Sequence, residues 1–205
     1  MVNFFNVDNI EFMRSKPDGY YDLAIVDPEY GLDAANMTMG SGKNKKWIKK
    51  NWDKNPPTKE YFTELFRISK EQIICGGNYF NLPVSKGWIF WDKGIDGDVS
   101  FADGELIWTS FDKVLRKASI RYKGFLGMDK ERIHPTQKPV KLYEWILRNY
   151  ATKGMRILDT HGGSMSISIA CHNFGCNLDV CEIDKEYFDK GKHRYEMHKR
   201  QLKLF

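Results

Sequence analysis

The sequence predicts one α/β domain built on an open, mostly parallel sheet. Short apolar runs alternate along the chain with segments whose apolar residues recur at helical spacing, and this alternation is typical of such sheets. Within the runs the apolar residues are nearly continuous, which indicates strands that are covered by helices on both faces. The length of 205 residues suits a single domain with a full core.

Six strands are predicted from the apolar runs. We place them at residues 22–27, 72–75, 88–91, 105–111, 156–159 and 178–182. Three of these strands end in an acidic residue, namely Asp27, Asp159 and Glu182. Because ligands of open α/β sheets bind outside the carboxyl ends of the strands, these acids are the first candidate site residues.

Four helices are predicted around the strands. They lie at residues 58–70, 140–150 and 166–175 and from Asp184 onward. In the first helix, Phe62, Leu65 and Phe66 form an apolar stripe, and Thr58 can cap the helix. The third helix ends at Gly175, a residue type that commonly stops helices.

Composition excludes several classes of protein. Hydrophobic residues make up 41% of the chain and charged residues 29%, which is typical of a globular protein. No apolar run approaches the roughly 20 residues that span a bilayer, and we see no secretory signal, so we expect a cytoplasmic protein without a membrane segment. The four cysteines contain no Cys-x-x-Cys pair, so we expect reduced thiols and no metal site.

Positive charge is concentrated in two segments. The formal net charge is +5; residues 43–54 contain six lysines and two tryptophans, and residues 113–123 contain five cations. Basic side chains interleaved with aromatic rings are typical of surfaces that bind nucleic acid, although a solvated surface has a similar composition. The candidate nucleic-acid-binding residues are Lys45, Lys46, Lys49, Lys50, Arg116, Lys117 and Arg121.

A glycine-containing turn follows the fifth strand. Residues 159–166 read DTHGGSMS, and adjacent glycines at a strand-to-helix turn allow the backbone to approach a ligand. Glu182 ends the next strand 23 residues after Asp159, a spacing at which an acid often binds a ribose hydroxyl. Taken alone, these residues fit either a nucleoside cofactor site or a helix cap beside a surface acid.

Three segments together resemble the amino-group DNA methyltransferases. DPEY at 27–30 is similar to their D-P-P-Y box, HPTQKP at 134–139 to their H-P-x-Q-K-P segment, and DTHGGS at 159–164 to their cofactor turn in its phage and prophage variant. The catalytic box precedes the cofactor turn, as in the circularly permuted β-type subgroup. The resemblance covers nearly the whole chain. It implies a Rossmann-like S-adenosylmethionine-dependent methyltransferase fold, with a mostly parallel twisted sheet and helices on both faces.

The resemblance implies transfer of a methyl group to an exocyclic amino group of a base extruded from double-stranded DNA. The lone pair of that amino group is conjugated into the ring, so Asp27 and the Pro28 carbonyl would accept its hydrogens while Tyr30 stacks on the base. The donor, S-adenosylmethionine, is already a sulfonium, so the enzyme chiefly aligns the reacting atoms and needs no metal. An initial Asp in the box favours adenine N6 over cytosine N4.

The resemblance also implies a set of donor-binding residues. Glu182 would bind the ribose hydroxyls, Asp8 would contact the donor's adenine, and residues 136–138 would close over the methionine end. The complete set is Asp8, Thr136, Gln137, Lys138, Asp159, Gly162, Gly163, Ser164 and Glu182.

Two residues depart from the family pattern. Glu29 replaces the second proline of the box, which frees its φ angle and adds a carboxylate beside the target pocket, and Met165 stands where many members have glycine. These departures leave open a catalytically impaired module that binds DNA or cofactor. Cytosine N4, RNA and a protein glutamine also remain alternative targets.

The domain is expected to span residues 1–205 as a single unit. Within it we expect a lysine-rich loop at about 40–57 and a target-recognition segment at about 112–131. The target-recognition segment is short for a region that must recognise a DNA sequence. Recognition is therefore expected to be loose or to be shared across a homodimer.

Overall fold

The computed structural model describes residues 1–32, 55–95, 102–122 and 132–201, and these residues form one eight-stranded sheet with helices on both faces. The strands are β1 (Val2–Phe5), β2 (Tyr21–Val26), β3 (Ser69–Cys75), β4 (Trp88–Asp92), β5 (Gly104–Thr109), β6 (Arg116–Ser119), β7 (Arg156–Asp159) and β8 (Asn177–Cys181). The α-helices are α1 (Asn9–Arg14), α2 (Lys59–Ile68), α3 (Val140–Tyr150), α4 (Ser166–Phe174) and α5 (Lys185–Arg200), and a short 3-10 helix spans Gly77–Tyr79.

The strand order is β1-β8-β7-β2-β3-β5-β4-β6. Neighbouring strands are parallel except at β5, which runs antiparallel to both β3 and β4. From the central boundary between β7 and β2 the chain proceeds outward on both sides, and such a reversal leaves a crevice at the carboxyl ends of the two strands. β2 precedes β7 in the sequence although the two are neighbours, which agrees with the permuted motif order. The predicted fold class is confirmed.

The central strands explain the continuous apolar runs. In β2, Leu23 and Ile25 belong to a core shared with α3 and α4, whereas Ala24 and Val26 belong to a second core shared with α1 and α2. Since successive side chains of a strand point to opposite faces, every position of a strand covered on both sides must be apolar. Thus the same pattern that predicts buried strands also determines the three-layer arrangement.

The predicted helix at 58–70 requires a correction. The helix α2 ends at Ile68, and the next residue already begins β3. Its buried residues are Tyr61, Leu65 and Ile68, while Phe62 and Phe66 pack at the margin of the same core. The buried stripe is therefore rotated from the one that Phe62, Leu65 and Phe66 predicted.

Two strands and one α-helix were not predicted. β1 and β6 are four-residue strands, and α1 has only six residues, so none carries a recognisable period. β1 pairs with β8 in the register Val2↔Leu178, and β6 pairs with β4 in the register Arg116↔Ile89. Only Ala118 of β6 is buried. Arg116 and Lys117, for which no strand was predicted, therefore lie on an exposed edge strand.

The remaining gross features concern thiols, membranes and metals. All four cysteines are buried thiols. None of the helices among the described residues is long and apolar enough to cross a bilayer. Within the same ranges, no cluster of three or more histidine, cysteine, aspartate or glutamate side chains has the geometry of a metal site.

Helix α5 packs directly on the turn that follows β7. Met165, at the start of α4, is fully buried and adopts a left-handed conformation with φ of 56°. A Cβ placed on Gly191 of α5 would lie 2.4 Å from Met165 Cγ and 3.1 Å from the carbonyl oxygen of Gly163. Only glycine at position 191 therefore allows the helix to approach the turn this closely.

We predict that Gly191→Ala destabilises the fold by about 1–3 kcal/mol, because the new methyl group overpacks against Met165. Combining it with Met165→Ala, which removes Cγ, should cost less than the sum of the two single changes. Urea unfolding of the four proteins measures the coupling, and exposed Lys192→Ala serves as the control on the same helix. Additive costs would show that Gly191 has no role in this contact.

Candidate active site

A cavity of about 290 Å³ lies at the carboxyl ends of β2, β7 and β8. Its lining brings together three segments that are distant in sequence: the box after β2, the residues before α3 and the turn after β7. It contains all of the predicted catalytic and donor-binding residues except Asp159. These are Asp8, Asp27, Pro28, Tyr30, Thr136, Gln137, Lys138, Gly162, Gly163, Ser164 and Glu182.

Asp27 is held by two donors. Its Oδ1 atom accepts hydrogen bonds from the Tyr30 hydroxyl at 2.8 Å and from Lys138 Nζ at 2.7 Å. Lys138 Nζ is also 3.1 Å from the Tyr30 hydroxyl oxygen, so the three groups form a closed triangle. This arrangement fixes the orientation of the carboxylate at the end of β2.

Glu105 and Lys93 complete the charge balance around Lys138. Glu105 Oε2 lies 3.2 Å from Lys138 Nζ, and its Oε1 lies 2.7 Å from Lys93 Nζ. Burial disfavours the charged form of Lys138, but Asp27 and Glu105 outweigh it and raise the pKa of its ammonium. Burial likewise raises the pKa of Glu105, but the two lysines outweigh it and bring that pKa down to about 2. The cluster therefore holds two cations and two anions, and Lys138 cannot act as a base.

The contacts of Lys138 differ from those expected for a donor-binding residue. It lines the cavity, but its ammonium contacts the box rather than the turn after β7. Its neighbours in the same segment face other partners: Gln137 Oε1 accepts from the Ile133 amide at 3.1 Å, and Thr136 Oγ1 lies 3.2 Å from His134 Nδ1. The donor-binding role of this segment remains a prediction, and the ammonium of Lys138 contacts Asp27 of the box.

Tyr30 lies in an aromatic cluster that the sequence did not predict. Its ring stacks on Tyr79 with centroids 4.9 Å apart and an interplanar angle of 16°, and Phe80 meets it edge-on at 6.0 Å. Gly76 makes room for this ring, because a Cβ there would lie 2.4 Å from Tyr30 Cε1. The segment GGNYF at 76–80 directly follows the carboxyl end of β3. This position at a strand end was the one sequence feature that could have predicted that Tyr79 and Phe80 lie near the site.

The turn after β7 is held by the two strand-end acids. Asp159 is buried and its Oδ1 accepts a hydrogen bond from the His161 amide at 2.9 Å. Glu182 uses both oxygens: Oε2 accepts from the Gly163 amide at 2.7 Å and Oε1 from the Asp184 amide at 2.8 Å. Asp159 thus lies behind the turn and shapes it, which corrects its expected place in the lining of the donor site.

Asp8 has a structural contact as well as a place in the cavity. Its Oδ1 caps helix α1 by accepting from the amides of Ile10 and Glu11 at 2.9 and 3.0 Å. An aspartate at this position satisfies backbone donors that the helix leaves unpaired. The carboxylate is therefore fixed at the cavity rim before any ligand binds.

Glu29 does not point freely into the target pocket. Its Oε2 atom lies 3.2 Å from Nε2 of His161, which is in the turn after β7. Glu29 does line the cavity, next to the expected target pocket, and its carboxylate is paired there with His161. His161 itself was missed, because a lone histidine in a turn carries no pattern.

Three of the seven predicted nucleic-acid-binding residues lie within the described ranges. Lys45, Lys46, Lys49 and Lys50, with most of the lysine-rich loop, lie outside the described residues, as does the part of the recognition segment from 123 onward. Arg116 and Lys117 lie at the start of β6, and Lys117 pairs with Asp92 at 2.7 Å. Arg121 follows β6 at the end nearer the cavity, beside Tyr122, which lines it.

The acid-proline-aromatic box and the glycine turn thus meet at the switch point of the sheet, where the resemblance to the amino-group DNA methyltransferases implies a methyltransferase site. The DNA methylase family N6_N4_Mtase matches residues 6–193 of the chain. The chain therefore belongs to this family of DNA methylases, and the resemblance predicted from the three motifs is confirmed.

Individual relatives are distant in sequence. The chain is 22% identical over 233 aligned residues to the type II methyltransferase M.HpaI of Haemophilus parainfluenzae, covering 91% of this chain and 72% of that protein. The solved M1.HpyAVI–SAM complex shares 20% identity at a TM-score of 0.65 and covers 95% of this chain and 100% of its own. The cytosine-N4-specific PvuII DNA methyltransferase shares 14% at a TM-score of 0.60, covering 97% and 90%. These two structures establish the likeness of fold.

The buried carboxyl of Asp159 predicts a pH-dependent stability. Burial raises its pKa from 3.8 to about 7, so the folded state holds a proton that the unfolded state releases. This contribution to stability is complete below about pH 3.8 and is lost as the pH rises through about 7. Asp159→Asn should therefore gain stability relative to the wild type between pH 4 and pH 8.

Urea unfolding at several pH values measures this difference. Exposed Asp112→Asn is the matched control and should follow the wild-type curve. A constant difference between Asp159→Asn and the wild type would contradict the assigned titration.

Lys138→Met leaves two carboxylates, Asp27 and Glu105, without their shared cation. Removing one partner of a buried charge cluster costs about 3–5 kcal/mol, so we expect destabilisation near that size. Adding Glu105→Gln should recover part of the loss, because it removes one uncompensated anion. Thermal unfolding tests this, with exposed Lys141→Met as control. Equal stability of the single and double variants would show that Glu105 is not coupled to Lys138.

Proposed function

We propose that the protein transfers the methyl group of S-adenosylmethionine to the N6 amino group of adenine in double-stranded DNA. The observation that carries this proposal is that one cavity joins the Asp27–Tyr30 box to the turn at Gly163 and Glu182. A base held by the first and a donor held by the second would meet within that cavity. Membership of the DNA methylase family supports the reaction class.

The residues of the donor side fit a cationic nucleoside. The cavity is lined by the carboxylates of Asp8 and Glu182 and by glycine backbone, so it offers acceptors for ribose hydroxyls and room for a ring. Burial raises the pKa of Glu182, and a nearby sulfonium would favour its charged form. S-adenosylmethionine supplies an already activated methyl group, so these residues need only bind and orient it.

On the base side, the box would hold the exocyclic amino group. Oδ1 of Asp27 is occupied by Tyr30 and Lys138, whereas Oδ2 has no hydrogen-bond partner among the described residues. Oδ2 and the Pro28 carbonyl would accept the two amino hydrogens and draw the lone pair out of conjugation. Fixing the nitrogen in line with the methyl group supplies most of the rate enhancement that such a site can give. Lys138 keeps its own proton, so the proton released on transfer must go to Asp27 or to water.

Adenine is preferred over cytosine as the target because the box begins with aspartate. A relative of similar fold is specific for cytosine N4, so the N4 position is the second candidate. We propose that the reaction takes place in the cytoplasm, with cations such as Arg121 contacting the DNA phosphates. Sharing of target recognition across a homodimer remains a prediction, because residues 123–131 lie outside the described ranges.

We predict that the wild type methylates duplex DNA and that Asp27→Ala lowers the single-turnover rate at least 100-fold with donor affinity changed by less than about threefold. The physical reason is that Asp27 contacts the base and not the donor, and each tenfold loss corresponds to about 1.4 kcal/mol of transition-state stabilisation. Incubation with labelled donor and mixed duplexes, followed by nucleoside mass spectrometry, measures the product. Calorimetric titration measures donor binding.

The outcomes of this experiment are distinct. Detection of N6-methyladenine would support the proposal. Detection of N4-methylcytosine would instead show that cytosine N4, the second candidate, is the target. Donor binding without any product would instead indicate the impaired binding module. Equal losses of donor affinity and rate in Asp27→Ala would place Asp27 in the donor site.

A further inference from the structure

Glu29 and His161 connect the two halves of the cavity. Glu29 lies between Pro28 and Tyr30 in the box, and His161 lies in the turn two residues after Asp159. Their side chains meet at 3.2 Å, and both are largely buried, with 27% and 12% of the side chains exposed. This is a direct side-chain link between the segment that would hold the base and the segment that would hold the donor.

The surroundings of His161 suit an imidazolium. Nδ1 is 2.9 Å from the Thr160 hydroxyl, which is in turn 2.7 Å from the Tyr61 hydroxyl, while Nε2 faces Glu29. A doubly protonated ring would thus have an acceptor at each nitrogen. The Asn9 side-chain amide also lies 3.0 Å from Nε2, and a half-turn of that amide presents its oxygen to the N–H.

The charges around the pair favour its ionised form. Burial lowers the pKa of His161, but Glu29 outweighs it, with Asp159 and Glu182 adding to the rise above its ordinary value of 6.5. Burial raises the pKa of Glu29, but His161 and, more weakly, His134 lower it below its ordinary value of 4.5. Both side chains are therefore charged between pH 4.5 and pH 6.5, and this pH range extends somewhat further in both directions.

Because Glu29 lies within the box, its contact with His161 affects the backbone conformation of the box. A proline at position 29, as in the D-P-P-Y pattern, would fix φ through its ring, whereas glutamate leaves φ free. The Pro28 carbonyl belongs to the rigid peptide that precedes the Glu29 Cα, so rotation about φ of Glu29 would move the Tyr30 ring relative to that carbonyl. The contact between the Glu29 side chain and His161 restrains the φ rotation of Glu29, although glutamate has no ring to fix that angle.

We propose that His161 is a positioning residue that holds Glu29 and thereby keeps the Pro28 carbonyl and the Tyr30 ring aligned with the donor turn, in the role that a second proline would fill. This inference rests on the proposed methyl transfer. A protonated His161 holds Glu29 by an ion pair, whereas a neutral His161 can hold it only by a weaker hydrogen bond, so transfer should slow as the pH rises through the raised pKa of His161.

A cycle of four proteins tests the proposal: the wild type, His161→Gln, Glu29→Pro and the double variant. Single-turnover rates are measured on one duplex at saturating donor from pH 6 to pH 9. We expect His161→Gln to slow transfer about tenfold when Glu29 is present and less than twofold when residue 29 is proline. The wild-type rate should fall toward high pH more steeply than that of either proline-containing variant.

Several controls separate positioning from simple damage to the fold. Thermal unfolding and donor titration of each variant establish that it is folded and loaded, and Glu29→Gln replaces Glu29→Pro in the cycle if the proline variant does not fold. Glu186→Gln removes the acid of an exposed pair with Lys190 and should leave the rate unchanged.

Equal slowing by His161→Gln in both backgrounds, or identical pH profiles for the wild type and His161→Gln, would overturn the inference while leaving the proposed function intact. A wild-type protein that methylates no DNA would overturn the proposed function and this inference together.

Discussion

Asp27 directly follows β2 and Asp159 ends the neighbouring parallel strand β7, and the rest of the site is arranged around that adjacency. β2 and β7 pair at the middle of the sheet through Leu23↔Ile157 and Ala24↔Leu158, so their carboxyl ends open into the same crevice. The box and the donor turn are more than 100 residues apart in the chain, and no local element could bring them together. The two cores on either face hold these strands in place and so determine the geometry of the cavity.

Bringing acids together at one edge creates an electrostatic cost that the site offsets in two ways. Lys138 lies between Asp27 and Glu105, and His161 faces Glu29. Asp159 has no such cation within hydrogen-bond distance among the described residues, and its pKa rises to about 7 because burial dominates. Neighbouring cations thus keep Glu105 and Glu29 ionised, whereas Asp159, beneath the turn, is ionised only at the expense of stability.

Sequence patterns predicted the parts of this protein that depend on local periodicity or on strand ends. Continuous apolar runs located the central strands, and the acids that follow them located the cavity. The pairings of Lys138 with Glu105, Glu29 with His161 and Tyr30 with Tyr79 were not predicted. Each depends on side-chain directions in segments that only the sheet order brings together; Lys138 and Asp27, for example, are 111 residues apart. The short elements β1, β6 and α1 were missed for a different reason. They are too short to show a hydrophobic period, and β1 and β6 are strands because they pair with β8 and β4.

The stacked pair of Tyr30 and Tyr79 has an energetic consequence for the entry of a base. Tyr79 covers one face of the Tyr30 ring. A base that stacks on this face must displace Tyr79, so the contact between base and Tyr30 replaces the contact between the two tyrosines. Loss of an aromatic pair costs about 0.5–1.5 kcal/mol, whereas base stacking on an aromatic side chain contributes about 1–3 kcal/mol. The net gain is therefore small, and a base that stacks poorly gains almost nothing from displacing the tyrosine. Under the proposed function, Tyr79, with 48% of its surface exposed, would therefore compete with an incoming base for the face of Tyr30 and disfavour bases that stack poorly.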